Sequence, residues 1–135
     1  MDLSKAMMIS AAGMKAQSTR MRVISENLAN QNSVANTPDG DPYRRKVVSF
    51  KNELDREAGV YRVQVNKVSF DQAKFGLRYE PGHPAADENG YIQTPNVNGL
   101  VEAMDMKEAQ RSYEANLNSI EVTKTMMMRT IDMLR

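Results

Sequence analysis

His83 is the only histidine in the chain, and Asp87 and Glu88 follow close behind it, so acid–base or metal chemistry would have its candidate ligands there. The set does not close. Typical zinc coordination needs four nitrogen, sulfur or carboxylate donors, and no second histidine and no cysteine exists to join His83. Set between Gly82 and Pro84, the histidine reads more simply as a turn residue. A wall-cutting hydrolase working through paired carboxylates would have only Asp87, Glu88 and scattered acids to draw on. Arg44, Arg45 and Lys46 form a lone basic triplet, too short to signal nucleic acid, which reads as a solvated patch or an inter-subunit contact. No phosphate-cradling glycine loop and no nucleophile elbow is present, so catalytic residues, metal and cofactors are all expected to be none.

What the chain does carry is a segregation of residue types. All five prolines lie between Pro38 and Pro95, while all eleven methionines lie at or before Met21 or after Glu102. Proline breaks helix interiors, so the two proline-free flanks each support a long helix, whereas the middle, with all three Phe and four of the five Tyr, suits turns and strands. The spacing predicts an α+β fold. Residues 1–36 and 99–135 supply long helices that pair as an antiparallel coiled coil and form one helical domain, and 37–98 is a small insertion rich in strands and loops.

In the first helix Leu3, Met7, Met14, Met21, Ile24 and Leu28 fall on a stripe spaced by threes and fours, with Ser10 and Gln17 as its polar slots. Ala11, Ala12, Gly13 and Ala16 make a small-residue patch that lets another helix approach closely, at the propensity cost of one glycine. Asp2 can cap the start, and Asn27, Asn30, Asn32 and Asn36 suit fraying, which places the end near Gln31. The second helix repeats the pattern with Met106, Tyr113, Leu117, Ile120, Met127, Ile131 and Leu134, broken by Gln110 and Lys124. Asn98 or Gly99 caps its start, Glu102 and Asp105 complement its dipole, and it runs to the C-terminus. Between the helices, residues 37–40 and 80–84 are turn chemistry and Asn89-Gly90 is a tight turn; strands are expected at 46–50, 61–65, 75–79 and 91–94.

Composition narrows the partners. The formal charge is +1, with 18 basic and 17 acidic residues spread along the chain, so neither nucleic acid nor an anionic membrane has an electrostatic footprint. No apolar run approaches the roughly 20 residues needed to span a bilayer. Asp2 before and Lys15 within the apolar stretch near the start argue against a cleaved signal peptide. Apolar residues off the two stripes, including Met8, Ile9, Val23, Val122, Met126, Met128 and Met133, widen the sticky surface beyond what one helix covers. Methionine, unbranched and polarizable, suits packing against several non-identical neighbours. Two classes fit: a subunit of a helical assembly, or a small helical adaptor or export chaperone that binds amphipathic helices in a methionine-rich groove.

Residues 9–16, 24–31 and 36–46 read ISAAGMKA, ISENLANQ and NTPDGDPYRRK, and these resemble the bacterial flagellar rod and hook proteins. PDGDPYRRKVVSF from Pro38, PGHPAADENGYIQTPNVN from Pro81 and EAMDMKEAQRSYEAN from Glu102 resemble the proximal-rod branch of that superfamily, over nearly the full chain. The resemblance implies a structural subunit that is not an enzyme. It would be exported through the flagellar type III apparatus without a cleaved signal and polymerise with other rod subunits and further copies of itself in the periplasmic basal body. There it would contact ring and export-apparatus components, transmit torque and line a channel for later subunits. The expected assembly interface is Met7, Met14, Met21, Ile24, Leu28, Tyr113, Leu117, Ile120, Met127, Ile131 and Leu134, with Asn27, Asn30, Asn36, Tyr43 and Arg44 where the first helix meets the insertion.

Overall fold

Side-chain caps set the starts of both helices in the computed structural model, which describes residues 2–135. Asp2 Oδ1 accepts the Ser4 N–H at 3.0 Å and opens helix α1, Leu3–Ala29. It closes at Asn30, whose backbone N–H and Nδ2 both donate to the Glu26 carbonyl, at 3.1 Å and 2.8 Å. At the other helix, α2 (Gly99–Met133), the cap is Asn98: its Oδ1 accepts the N–H groups of Leu100 at 3.1 Å and Val101 at 3.4 Å.

Four strands lie between the helices. β1 (Lys46–Asp55) and β2 (Val60–Phe70) form a two-stranded sheet. Their four-residue connection permits only an antiparallel pair. β1 is twice the length that the sequence suggests, because the turn is made without proline: Asp55 Oδ1 accepts the N–H groups of Glu57 and Ala58, both at 3.1 Å, and Gly59 takes φ 67°. β3 (Gly76–Tyr79) and β4 (Tyr91–Thr94) pair antiparallel from Gly76↔Thr94 to Tyr79↔Tyr91, with the two tyrosine rings edge to face at 5.3 Å. His83 sits in the connection between them, its Nδ1 accepting the Ala85 N–H at 3.0 Å.

The chain divides into two units, to each of which both helices and both long strands contribute. The first comprises Met1–Met21, Val48–Lys67 and Met106–Arg135. Its buried residues are small or polar: Ser10, Gly13 and Ala16 from α1, Ala109 and Thr123 from α2. The Asn116 side chain lies where a Cβ on residue 13 would be, 2.7 Å from its Nδ2, and Arg20 Nη2 is 3.6 Å from Glu108 Oε2. Rising numbers on α1 therefore meet falling numbers on α2 within this unit. The second unit comprises Arg22–Val47 and Val68–Asp105, and buries Val23, Ile24, Asn27, Ile92 and Glu102.

Gly13 gives a test whose sign is diagnostic. In a solitary helix Gly13→Ala adds about 1 kcal/mol of stability through propensity. Against Asn116, whose Nδ2 is held by the Ser112 carbonyl at 2.9 Å, the added methyl meets atoms well inside contact distance. Overpacking of that kind costs about 1–3 kcal/mol. The substitution is expected to lower the thermal midpoint, and calorimetry on the purified chain checks it.

Candidate assembly interface

The most heavily bonded group of side chains lies in the second unit, where residues near the end of α1, the start of β1 and the start of α2 converge. Asn27, 1% exposed, uses its whole hydrogen-bonding capacity. Its Nδ2 donates to the Lys46 carbonyl at 2.9 Å and to Glu102 Oε2 at 3.3 Å, while its Oδ1 accepts the Lys46 N–H at 2.9 Å and the Tyr43 hydroxyl at 2.8 Å. The amide thus serves the first residue of β1 as a neighbouring strand would, satisfying its N–H and its C=O together. No other side chain of this length offers two donors and two acceptors.

Glu102 is fully buried, and its charge is answered by Arg45, whose Nε donates to Oε1. The same guanidinium reaches Asp71 Oδ2 at 3.2 Å and Asp105 Oδ2 at 3.7 Å, and the Arg45 backbone N–H donates to Asn96 Oδ1 at 2.7 Å. Burial works to lower the Arg45 pKa, but the bonds to Glu102 and then Asp71 outweigh it and hold the value above normal. Arg45 is therefore an internal tie between carboxylates, which corrects its reading as part of a solvated or inter-subunit basic triplet. Arg44 is likewise engaged, donating to the Asp71 carbonyl at 2.8 Å with its guanidinium carbon 4.2 Å from the centroid of Phe75. Lys46 Nζ pairs with Glu26 Oε2 at 3.0 Å.

These pairs carry a pH dependence whose sign is fixed. The Lys46 hydrogen bond holds the Glu26 carboxyl below its usual value, and the Ala73 backbone N–H, then Arg45, do the same for Asp71 against the opposing effect of burial. A depressed folded-state pKa contributes stability that is present above the ordinary carboxylate range, about pH 4, and is lost as pH falls through the lower folded value. Tyr43 is raised by burial, so its contribution is present below about pH 10 and is lost as pH rises through the higher folded value. Urea midpoints are expected to be flat near neutrality and to fall below about pH 4.

Of the residues expected at the interface, Ile24 and Asn27 are buried. Met7, Met14, Met21, Leu28, Asn30, Tyr43, Arg44, Tyr113, Ile120 and Met127 are half-buried, and Asn36, Leu117, Ile131 and Leu134 are exposed. The most buried stripe on α2 is a different one: Glu102, Ala109 and Thr123 are buried and Asn116 between them is half-buried, spaced by seven, with the large, half-buried Met106, Tyr113, Ile120 and Met127 four residues further round. In the first unit small and polar side chains thus fill the buried positions, with the large apolar ones beside them, while the second unit buries Val23, Ile24 and Ile92. The surface reflects this: 9370 Å² is accessible, where an ordinary folded monomer of 15.2 kDa exposes about 7,100 Å². No helix among the described residues is long and apolar enough to cross a membrane.

Comparison with known proteins gives a consistent result. A family model described as the flagellar basal body rod FlgEFG protein C-terminal matches residues 88–133. The flagellar basal-body rod protein FlgC of Agrobacterium fabrum is 51% identical over 133 residues, covering 98% of this chain and 96% of the relative. FlgC of Salmonella typhimurium is 42% identical over 91% of each chain, and that of Bacillus subtilis is 36% identical over 92% of this chain and 93% of the relative.

Proposed function

This chain belongs to the flagellar basal-body rod protein FlgC family, and from that membership we propose how its surfaces serve the rod. It is a structural subunit of the basal-body rod and assembles with other basal-body components. In the proposed arrangement residues 1–36 and 99–135 act as one helical domain, an antiparallel coiled coil facing the axis of a hollow shaft, with 37–98 further out against neighbours. The subunit passes through the flagellar type III apparatus without a cleaved signal and joins other rod subunits and further copies of itself in the periplasmic part of the basal body. It is seated toward the ring and export apparatus beneath, transmits torque, and leaves a channel for subunits that follow. Its role is mechanical, and no side chain is assigned to catalysis.

One observation carries this reading. In the first unit the buried helix residues are small or polar, and Leu117, Val122, Met126, Met128 and Ile131 are left between 38% and 57% exposed. An exposed apolar surface of that extent marks a place where neighbours dock. Ile120→Asp would place a carboxylate in the covered seam without a partner, at a cost of about several kcal/mol. Swimming is expected to be lost, with rods missing from isolated basal bodies while the free chain keeps its thermal midpoint. Normal swimming would remove Ile120 from the interface.

A further inference from the structure

The end of α2 extends past the start of α1 in the first unit. Counting outward from the Gly13–Asn116 contact one residue for one, Leu3 at the start of α1 falls level with Met126. The rest of α2, to Met133, therefore runs on past α1 by about two turns, or about 10 Å. Exposure follows that overhang: Ile131 is 54% exposed, Met133 85% and Leu134 83%. Apolar side chains lie all round this last segment, which is the pattern of a helix that ends up enclosed.

The same unit contains a groove that suits such a segment. It lies between the Met8–Thr19 face of α1 and Arg62, Val63, Gln64 and Val65 of β2, with a volume of about 580 Å³. Its α1 wall repeats at threes and fours through Ala11, Ala12, Lys15 and Ala16, so it is a row of shallow holes about 16 Å long. The end of α2 in the same molecule does not reach it: residue 131 lies about 22 Å along α2 from Asn116, the level of Gly13.

We infer that the last two turns of α2 dock into the α1–β2 groove of a second copy of this chain, head to tail. The inference rests on the rod-subunit reading and names one contact within it. Large apolar knobs and a small-residue trench, both carried by one chain on different elements, are complementary without being self-complementary. Such a contact repeats from copy to copy, as a ring or an open chain according to the rotation between them, and is not the symmetric contact of a two-fold dimer. Exposed Lys15 on the groove wall and exposed Asp132 on the overhang supply opposite charges. The surplus surface of about 2,200 Å² per subunit is enough for two or more interfaces at about 800 Å² each, where a simple dimer would need one.

The chain has no cysteine, so engineered thiols report only on the contact they are placed in. A disulfide requires Cα atoms within about 7 Å, which the intramolecular distance forbids. The purified full chain carrying Ala12→Cys and Ile131→Cys is oxidised at rising concentration and run without reductant. The expected result is a ladder through trimers and tetramers, about tenfold stronger than with either single variant, which Lys15→Glu weakens and Lys15→Glu with Asp132→Lys restores. Monomers alone, from a double variant that melts like the parent, would overturn the proposal. Dimers formed equally well by Ile131→Cys alone would overturn it too, because they mean a symmetric contact. Loss of the ladder together with rods missing in Ile120→Asp cells would leave the rod reading intact and sink only the self-docking.

Discussion

Arg45→Met is expected to cost about 3–5 kcal/mol, the largest single effect among the ionic residues, because it strands a buried charge. Glu102 is fully buried, and its carboxylate faces the Arg45 Nε on one oxygen and the Asn27 amide at 3.3 Å on the other. Without the guanidinium, one oxygen faces no donor, and Asp71 and Asp105 lose the cation they share with it. The energy lies in the unpaired acid more than in the bridge. Replacing both partners, Arg45→Met with Glu102→Met, is therefore expected to recover more than half the loss. Arg45→Lys should fall between, since a single ammonium cannot serve three carboxylates with the reach of a planar fork. Urea midpoints with unchanged slope across the four proteins are the check. A double variant as unstable as Arg45→Met alone would show that Arg45 acts through packing and not through charge.

Much of this chain was legible in its sequence. Proline and methionine segregation placed both helices, and the strand expected at 91–94 is β4 to the residue. Asp2 caps one helix, and Asn98, one of two candidates, caps the other. These features are local, set by backbone preference and by side chains bonding a few residues away. The polar junction was not legible, because its bonds join residues 19, 57 and 75 apart. Periodicity says which residues share a face, not which distant group meets them. Glu102 therefore read as a dipole complement and Arg45 as part of a solvated or inter-subunit patch, while Asn27, Tyr43 and Arg44 were placed where the first helix meets the insertion without the partners they bond. A signal was present in the seven-residue spacing of Glu102, Ala109, Asn116 and Thr123, but a small and polar stripe beside one rich in Met, Tyr and Ile does not look like the buried one. In the first unit the intramolecular contact uses small and polar residues, whereas Ile24 of the expected stripe is buried in the second.

Asn27→Asp separates hydrogen bonding from shape at the centre of that junction, because the two side chains are nearly isosteric. The substitution removes both N–H donors, so a carboxylate oxygen would face the Lys46 carbonyl, 2.9 Å from Nδ2 in the native chain, and Glu102 Oε2, 3.3 Å away. Two acceptors would be left unsatisfied in a site 1% exposed, and two acids would share it. A loss of about 3 kcal/mol or more is expected. The defect also has a signature that cavity formation lacks. Repulsion and burial raise the folded-state pKa of the new carboxylate above its unfolded value. Its penalty is then fully present at alkaline pH and lifts as pH falls through the raised value, since protonation restores one donor. The gap between Asn27→Asp and the parent is expected to narrow from pH 8 to pH 5, whereas Asn27→Ala, which loses the same bonds and adds no titratable group, should keep a constant gap. Parallel pH profiles for the two variants would mean that the Asn27 amide is not the donor to Lys46 and Glu102. The joint between α1, β1 and α2 would then have to be held by Arg45 and its carboxylates alone.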